Sequence, residues 1–241
     1  MGGRVNRIGP RVNGFVVPPH PAGITLEGRW ARLEPLEAEA HAGDLYRAFS
    51  SDDSLWDYLG YGPFPGAAAY HRWVKDHEAR LDPVFFAIRD LETGHACGVA
   101  SFLRIDAAQG VIEVGHICLA PELQKTRAAT EAMYLMMQWA FAAGYRRYEW
   151  KCNALNQPSR RAARRLGFAY EGTFRQHMIV KGHNRDTAWF SVIDSEWPGL
   201  DEAFRAWLAP ANFRDGARQR ESLSDLTGLA RGADDPTLAR G

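Results

Sequence analysis

At 241 residues, 46% of them hydrophobic and 24% charged, the chain is long enough to bury one sizeable core and is expected to form one domain with ragged ends. The 29 basic and 29 acidic residues balance to a formal net charge of +0, which leaves no overall field to recruit nucleic acid or an anionic membrane. A nucleic-acid module is further excluded by the lack of a basic stripe interleaved with stacking aromatics.

Residues 1–23 hold repeated Pro and Gly without a sustained period and read as an extended arm. From Ile24, ITLEGRWARLEPL alternates as a strand closing at Pro35. Helical spacing follows over 39–50 and 66–81, separated by the aromatic, Gly/Pro-rich loop SDDSLWDYLGYGPFP. Val84–Arg89 and Ala96–Ile105 flank the turn-like Asp90–Gly94 and predict a hairpin, with a third strand at Val111–Leu119. From Thr126 to Ala143, apolar residues recur at helical spacing and Gly144 closes the helix. Arg146–Cys152 returns as a strand, parallel to its predecessor if the crossover is right-handed. A helix at Ser159–Leu166 ends at Gly167, strands Phe168–Lys181 and Asp186–Asp194 form a last hairpin, and a short amphipathic helix covers Leu200–Leu208. The sum is an α/β (α+β) domain over 24–209, with a mixed central sheet of about seven strands and helices on both faces. Pro210–Gly241 carries few large apolar groups and reads as a flexible or partner-docking tail.

Three cysteines, Cys97, Cys118 and Cys152, are odd in number and lack metal-type spacing, so no metal site is expected. They read as buried apolar side chains in a reducing compartment, with a reactive Cys118 as the alternative. No stretch is apolar over a bilayer-spanning length, and the expected location is cytoplasmic.

Glu113 to Phe168 carries most of the chemistry. A short apolar strand ending in Leu119-Ala120-Pro121, followed by small residues opening a helix, puts bare backbone N–H groups at a helix N-terminus, where phosphate is held well. That arrangement suggests a nucleotide-type cofactor.

The order of elements, with EVGHICLAPELQKTRAATEA and NALNQPSRRAARRLGFAYEG, resembles the GCN5-related N-acetyltransferase (GNAT) superfamily, and within it the RimJ/RimL-like branch, over roughly residues 24–195. The resemblance implies a GNAT fold, acetyl-CoA as cofactor, and direct transfer of acetyl to a primary amine in a ternary complex. The acceptor is a protein N-terminal α-amine by branch precedent. An amino sugar of an antibiotic, a polyamine or an amino acid is the alternative, and a non-catalytic acyl-CoA sensor is another. The acidic residues Asp52, Asp53, Asp57 and Glu113 suggest a cationic acceptor.

By the same resemblance, Gln124, Lys125, Thr126, Arg127, Ala128, Ala129 and Thr130 form the phosphate loop and helix start. Arg127 stands in place of the usual glycine, its side chain turned outward, toward a cofactor phosphate on one reading. Ile117, Cys118 and Leu119 lie where the strand splays, and an N–H at Ile117 or Cys118 polarises the thioester. Asn156 and Ser159 hold the pantetheine arm or, more simply, cap a helix. Of the arginines on that helix, Arg164 is the expected phosphate contact. Glu113 is the first candidate base and His116 the second; the plainer readings are a Glu113–arginine pair and a core histidine. The family's general-acid tyrosine is Ala163 here, which leaves Ser159 as a substitute. Trp56, Tyr58 and Tyr61, with Arg175 and His177, are expected to line the acceptor channel, although Trp56 and its neighbours could equally staple two helices together. The sequence does not fix an oligomeric state; the long last hairpin and the tail are the segments available to a homodimer.

Overall fold

Eight strands form one sheet in the computed structural model, which describes residues 9–214 and 218–238. The arm's first eight residues lie outside that description. The run from Ile24 makes two strands rather than one, β1 (Leu26–Glu27) and β2 (Ala31–Pro35), which is why the sheet has eight strands instead of seven. The break has a physical cause. The buried carboxylate of Glu131 accepts the backbone N–H groups of Arg29, Trp30 and Ala31 at 2.9, 2.6 and 2.8 Å, and a Cβ on Gly28 would overlap that carboxylate.

Two helices follow, α1 (Ala38–Phe49) and α2 (Ala67–His77), joined through a 3-10 helix at Asp53–Trp56. Strands β3 (Val84–Asp90), β4 (Ala96–Asp106) and β5 (Val111–Leu119) pair antiparallel in sequence order. Helix α3 (Arg127–Ala142) crosses to β6 (Arg147–Asn153), the one parallel neighbour in the sheet. Helix α4 (Gln157–Arg165) leads into the hairpin β7 (Ala169–Val180) and β8 (His183–Ile193), and β8 pairs with β6. The strand order is β1-β2-β3-β4-β5-β6-β8-β7.

Alternation along β3 and β4 divides the helices between two faces. Phe85 meets Trp73 and His77 of α2 on one face, while on the other Phe86 meets Phe102, which meets Trp139 of α3. Helix α4 stands on the α3 face, where Trp150 Nε1 of β6 donates to Ser159 Oγ at 3.0 Å.

The chain after Pro210 is not the loose tail expected from its composition. Helix α5 (Trp197–Leu208) is followed by a short ribbon, β9 (Phe213–Arg214) with β10 (Arg218–Gln219), and by α6 (Leu223–Gly228), which packs on α4 and α5. Asp235 closes the segment with a buried two-pronged bond to Arg160, at 2.7 Å on both oxygens. The segment's few anchoring groups are well placed: Leu223 is fully buried, and so is Thr227, whose hydroxyl donates to Arg165 O at 3.0 Å.

Candidate active site

Strand β5 forks away from β6. The two are paired only from Val111 to Val114, after which β6 continues against β8 while β5 stays with β4. From Gly115 to Leu119 the β5 edge facing the fork has no strand partner, so its peptide groups are open to a ligand. Within that stretch β5 carries one extra residue between the Ser101–Gly115 and Val99–Cys118 pairs, and His116 takes up the bulge with φ of 50°. The fork opens into a cleft of about 1330 Å³, floored by Ile117–Leu119 and Met133 and walled by the α3 N-terminus, α4 and the ribbon after α5.

At the α3 N-terminus the turn Gln124–Thr126 is held by its own side chains. Gln124 Nε2 donates to Leu119 O at 3.0 Å, Lys125 takes the left-handed conformation with φ of 63°, and Thr126 caps the helix by accepting from Ala129 N. The Arg127 and Ala128 N–H groups are left without an intrahelical acceptor, at the positive end of a 16-residue helix. Arg127 itself is turned outward but not toward the turn: its guanidinium lies 5.1 Å from the Trp30 ring and 4.8 Å from the Phe213 ring. The Glu131 carboxylate that breaks the first strand thus also sets Trp30 in place at the cleft rim.

The opposite wall is the face of α4 carrying Pro158, Arg161, Ala162 and Arg165. Asn156 Oδ1 accepts from Ser159 N at 3.0 Å and fixes the start of the helix, and therefore which arginines face the cleft. Arg165 donates to Thr130 Oγ1 at 3.1 Å and stacks 4.9 Å from the Trp207 ring, with no carboxylate partner among the described residues. Burial lowers its pKa from the usual guanidinium range, the mark of a desolvated cation. Open helix N–H groups and an unneutralised guanidinium across one cleft suit a phosphate-bearing ligand, and the open β5 edge suits the amides of an extended arm.

The family model for the acetyltransferase (GNAT) domain matches residues 31–169. The chain belongs to the GNAT acetyltransferase family. A crystal structure of a GCN5-related N-acetyltransferase from Brucella melitensis is 45% identical, with a TM-score of 0.88 over 90% of this chain and 100% of that one. YdaF of Bacillus subtilis (strain 168), provisionally named a ribosomal N-acetyltransferase, is 29% identical over 69% of this chain and 91% of its own. The microcin C7 self-immunity acetyltransferase MccE, solved with acetyl-CoA and AMP, shares the fold at 20% identity and a TM-score of 0.61, over 69% of this chain and 93% of that one. The likeness sits with the RimJ/RimL-like branch, and the chain is an acyltransferase that uses acetyl-CoA and acts on an amine. No helix among the described residues is long and apolar enough to cross a membrane.

Ile117, Cys118, Leu119, Gln124 through Thr130, Asn156 and Ser159 all line the cleft of this GNAT domain. Arg164 does not. It faces away, its Nε donating to Asp234 at 3.3 Å, and the two arginines on the cleft are Arg161 and Arg165. Glu113 also lies outside the lining, buried beneath the fork, where Arg104 Nη1 donates to both its oxygens at 2.9 and 2.7 Å and Lys151 Nζ sits 2.8 Å away. The plainer reading, a pair with a neighbouring arginine, describes it.

His116 stands at the bulge, its Nδ1 3.3 Å from Tyr61 Oη and its ring against Tyr61 and Phe85. Burial, with Arg104 and other cations nearby, lowers its pKa to about 4, so the ring is neutral at pH 7. Trp56 is buried between Phe49 and Phe64 and staples the helices; only Tyr58 of the three loop aromatics reaches the cleft, its hydroxyl donating to Leu155 O at 3.3 Å. Arg175 and His177 line a separate depression on the last hairpin, where His177 Nδ1 lies 3.0 Å from Thr187 Oγ1. Cys118 and Cys97 are pushed up by burial to about 12 and about 11, which removes the reactive-thiol alternative at neutral pH. Ala163 is wholly buried on the inner face of α4. The residues that sequence reasoning missed are Trp30, Arg165, Trp207 and Phe213, and for Arg165 a signal existed: it is one helical turn from Arg161.

Proposed function

We propose that the chain transfers acetyl from acetyl-CoA to a primary amine, a protein N-terminal α-amine or a small-molecule amine, by direct attack in a ternary complex. The observation that carries this reading is the fork, an open strand edge leading from a phosphate-suited helix terminus to a neutral histidine. The Arg127 and Ala128 N–H groups with Arg165 hold the phosphates, and Asn156 and Ser159 flank the extended arm. Acetyl-CoA supplies a thioester carbonyl and a thiolate leaving group. The N–H of Ile117 or Cys118, on the unpaired β5 edge, donates to that carbonyl oxygen.

His116 takes the proton from the attacking amine, because Glu113 is buried and both its oxygens are already held by Arg104 and Lys151. Ala163 has no proton to give. Ser159 Oγ already accepts from Trp150 Nε1 and keeps its own O–H to donate toward the leaving sulfur.

Release of free thiol against a panel of N-terminal peptides, amino sugars, polyamines and amino acids tests this reading. His116→Ala is expected to cut kcat by about 100-fold or more while acetyl-CoA affinity stays the same. Undiminished turnover in that variant would remove His116 from the chemistry, and absence of acetyl-CoA binding by the wild type would sink the reading as a whole.

A further inference from the structure

The face of the sheet that bears α1 and α2 carries a charged row beyond those helices. Glu113 of β5, Glu149 and Lys151 of β6, and Trp189 and Ser191 of β8 share it, since Glu149 pairs with Ser191 and Lys151 with Trp189. Three carboxylates on this face, Glu113, Glu149 and Glu171, are matched by three cations, Arg104, Lys151 and Arg147, at 2.6 to 2.8 Å. The ledger closes at zero. Asp82 and Asp186, the other carboxylates of the region, are turned to N–H groups: of Arg104 and Ile105 for the first, of Gln176 and Asn184 for the second.

Arg185 is the surplus. It lies on the same face of β8 as Thr187 and Trp189, one step past the last β6 pair, Asn153 with Thr187, and near enough to His116, Arg104 and Glu113 for their charges to couple. Its guanidinium makes no hydrogen bond or ion pair among the described residues, and its Nε is buried without a partner, as is Trp189 Nε1 in the same row. Burial lowers its pKa from the usual range. A desolvated guanidinium with nothing to neutralise it costs stability, and an orphaned donor is satisfied only by an acceptor group. Lys181, four residues before it, donates to Trp56 O at 2.8 Å and ties the hairpin tip to the α1–α2 loop, which fixes where Arg185 stands.

We infer that Arg185 binds an anionic group of the acceptor, so that the amine acetylated carries a carboxylate or phosphate beside it. This inference rests on the acetyl-transfer reading and replaces the cationic acceptor that the acidic residues suggested: Glu113 is matched by Arg104 and Lys151, Asp52 is turned to Ser54, Asp53 lies outside the cleft, and of the four Asp57 alone lines it unpaired among the described residues. It also repairs a weakness of His116. Arg104 and Arg185 both act against protonation of that ring, as does His77, while Asp82 favours it. An anion on Arg185 removes one of those opposing charges exactly when the amine arrives, so the ring becomes a better proton acceptor in the ternary complex.

Matched amines test it with the full chain and acetyl-CoA, followed as free thiol: L-amino acids against their α-amides, O-phosphoethanolamine against ethanolamine, peptides beginning with Asp against peptides beginning with Asn, with spermidine and kanamycin as cationic acceptors. Within at least one pair the anionic member is expected to be favoured in kcat/KM by at least about tenfold, and the pair that responds tells carboxylate from phosphate. Arg185→Gln is expected to erase that preference through KM, Arg185→Lys to restore part of it, and acetyl-CoA affinity measured by calorimetry to be the same in all three proteins. Preference for neutral or cationic amines, an unchanged ratio in Arg185→Gln, or no turnover of any anionic amine by protein that binds acetyl-CoA would each overturn it. Loss of the acetyl-transfer reading looks different, since the wild type would then bind no acetyl-CoA, and this inference falls with it.

Discussion

His116 carries its consequence for stability in its surroundings. Its folded pKa of about 4 lies below the ordinary 6.5, so the native state binds fewer protons than the unfolded chain between those values. The associated stability is full above pH 6.5 and is lost as pH falls toward 4, a total of about 3 kcal/mol. Glu34 adds a second, lower window. Its bonds with Arg89 and His41 hold it at about 2 against an ordinary 4.5, so that contribution is full above 4.5 and is lost as pH falls toward 2. Thermal melts of the wild type should therefore weaken in two steps on acidification, and His116→Phe should flatten the upper step while leaving the lower. A variant with both steps intact would show that His116 is not the group being titrated.

Helix α4 shows how one element divides its chemistry between faces. Arg161 and Arg165 turn to the cleft, whereas Arg160 and Arg164 turn to the last segment of the chain and meet Asp235 and Asp234. Breaking a buried ion pair from one side strands the other charge. Asp235→Ala is accordingly expected to cost about 3 kcal/mol in denaturant unfolding, whereas Arg164→Ala, at an exposed pair whose Asp234 keeps Arg231, should cost about 1 kcal/mol or less. Equal costs would contradict the division of faces. The helix itself, its Asn156 cap and its Gly167 stop were legible from local residue chemistry. Which arginine faced the cleft was not, because the register of a four-arginine helix is set by what packs beneath it, and Asp235 is remote in the chain. The clamp on Arg127 is of the same kind: Trp30 and Phe213 flank it from opposite ends of the sequence.

At the scale of the molecule, the alternating strands, the crossover and the phosphate turn were readable because each is written in a short window of residues. Glu113 illustrates what was not. The family resemblance made it a base on paper, but a bulge at Arg104, with φ of 47°, aims a guanidinium across the sheet and neutralises it. Composition likewise made the chain after Pro210 a tail, when a few buried contacts suffice to seat it on α4 and α5 and to complete the cleft wall with Phe213 and Gln219 beside Trp207 of α5. The site is therefore assembled from nearly the whole chain, from Trp30 to Gln219, around one fork in the sheet. Calorimetric titration with acetyl-CoA tests that assembly most directly, comparing the wild type with Arg165→Gln and Arg164→Gln. The cleft as described predicts tight binding, weakened about tenfold or more by Arg165→Gln and left unchanged by Arg164→Gln. Equal affinities in all three proteins, or a loss confined to Arg164→Gln, would contradict it.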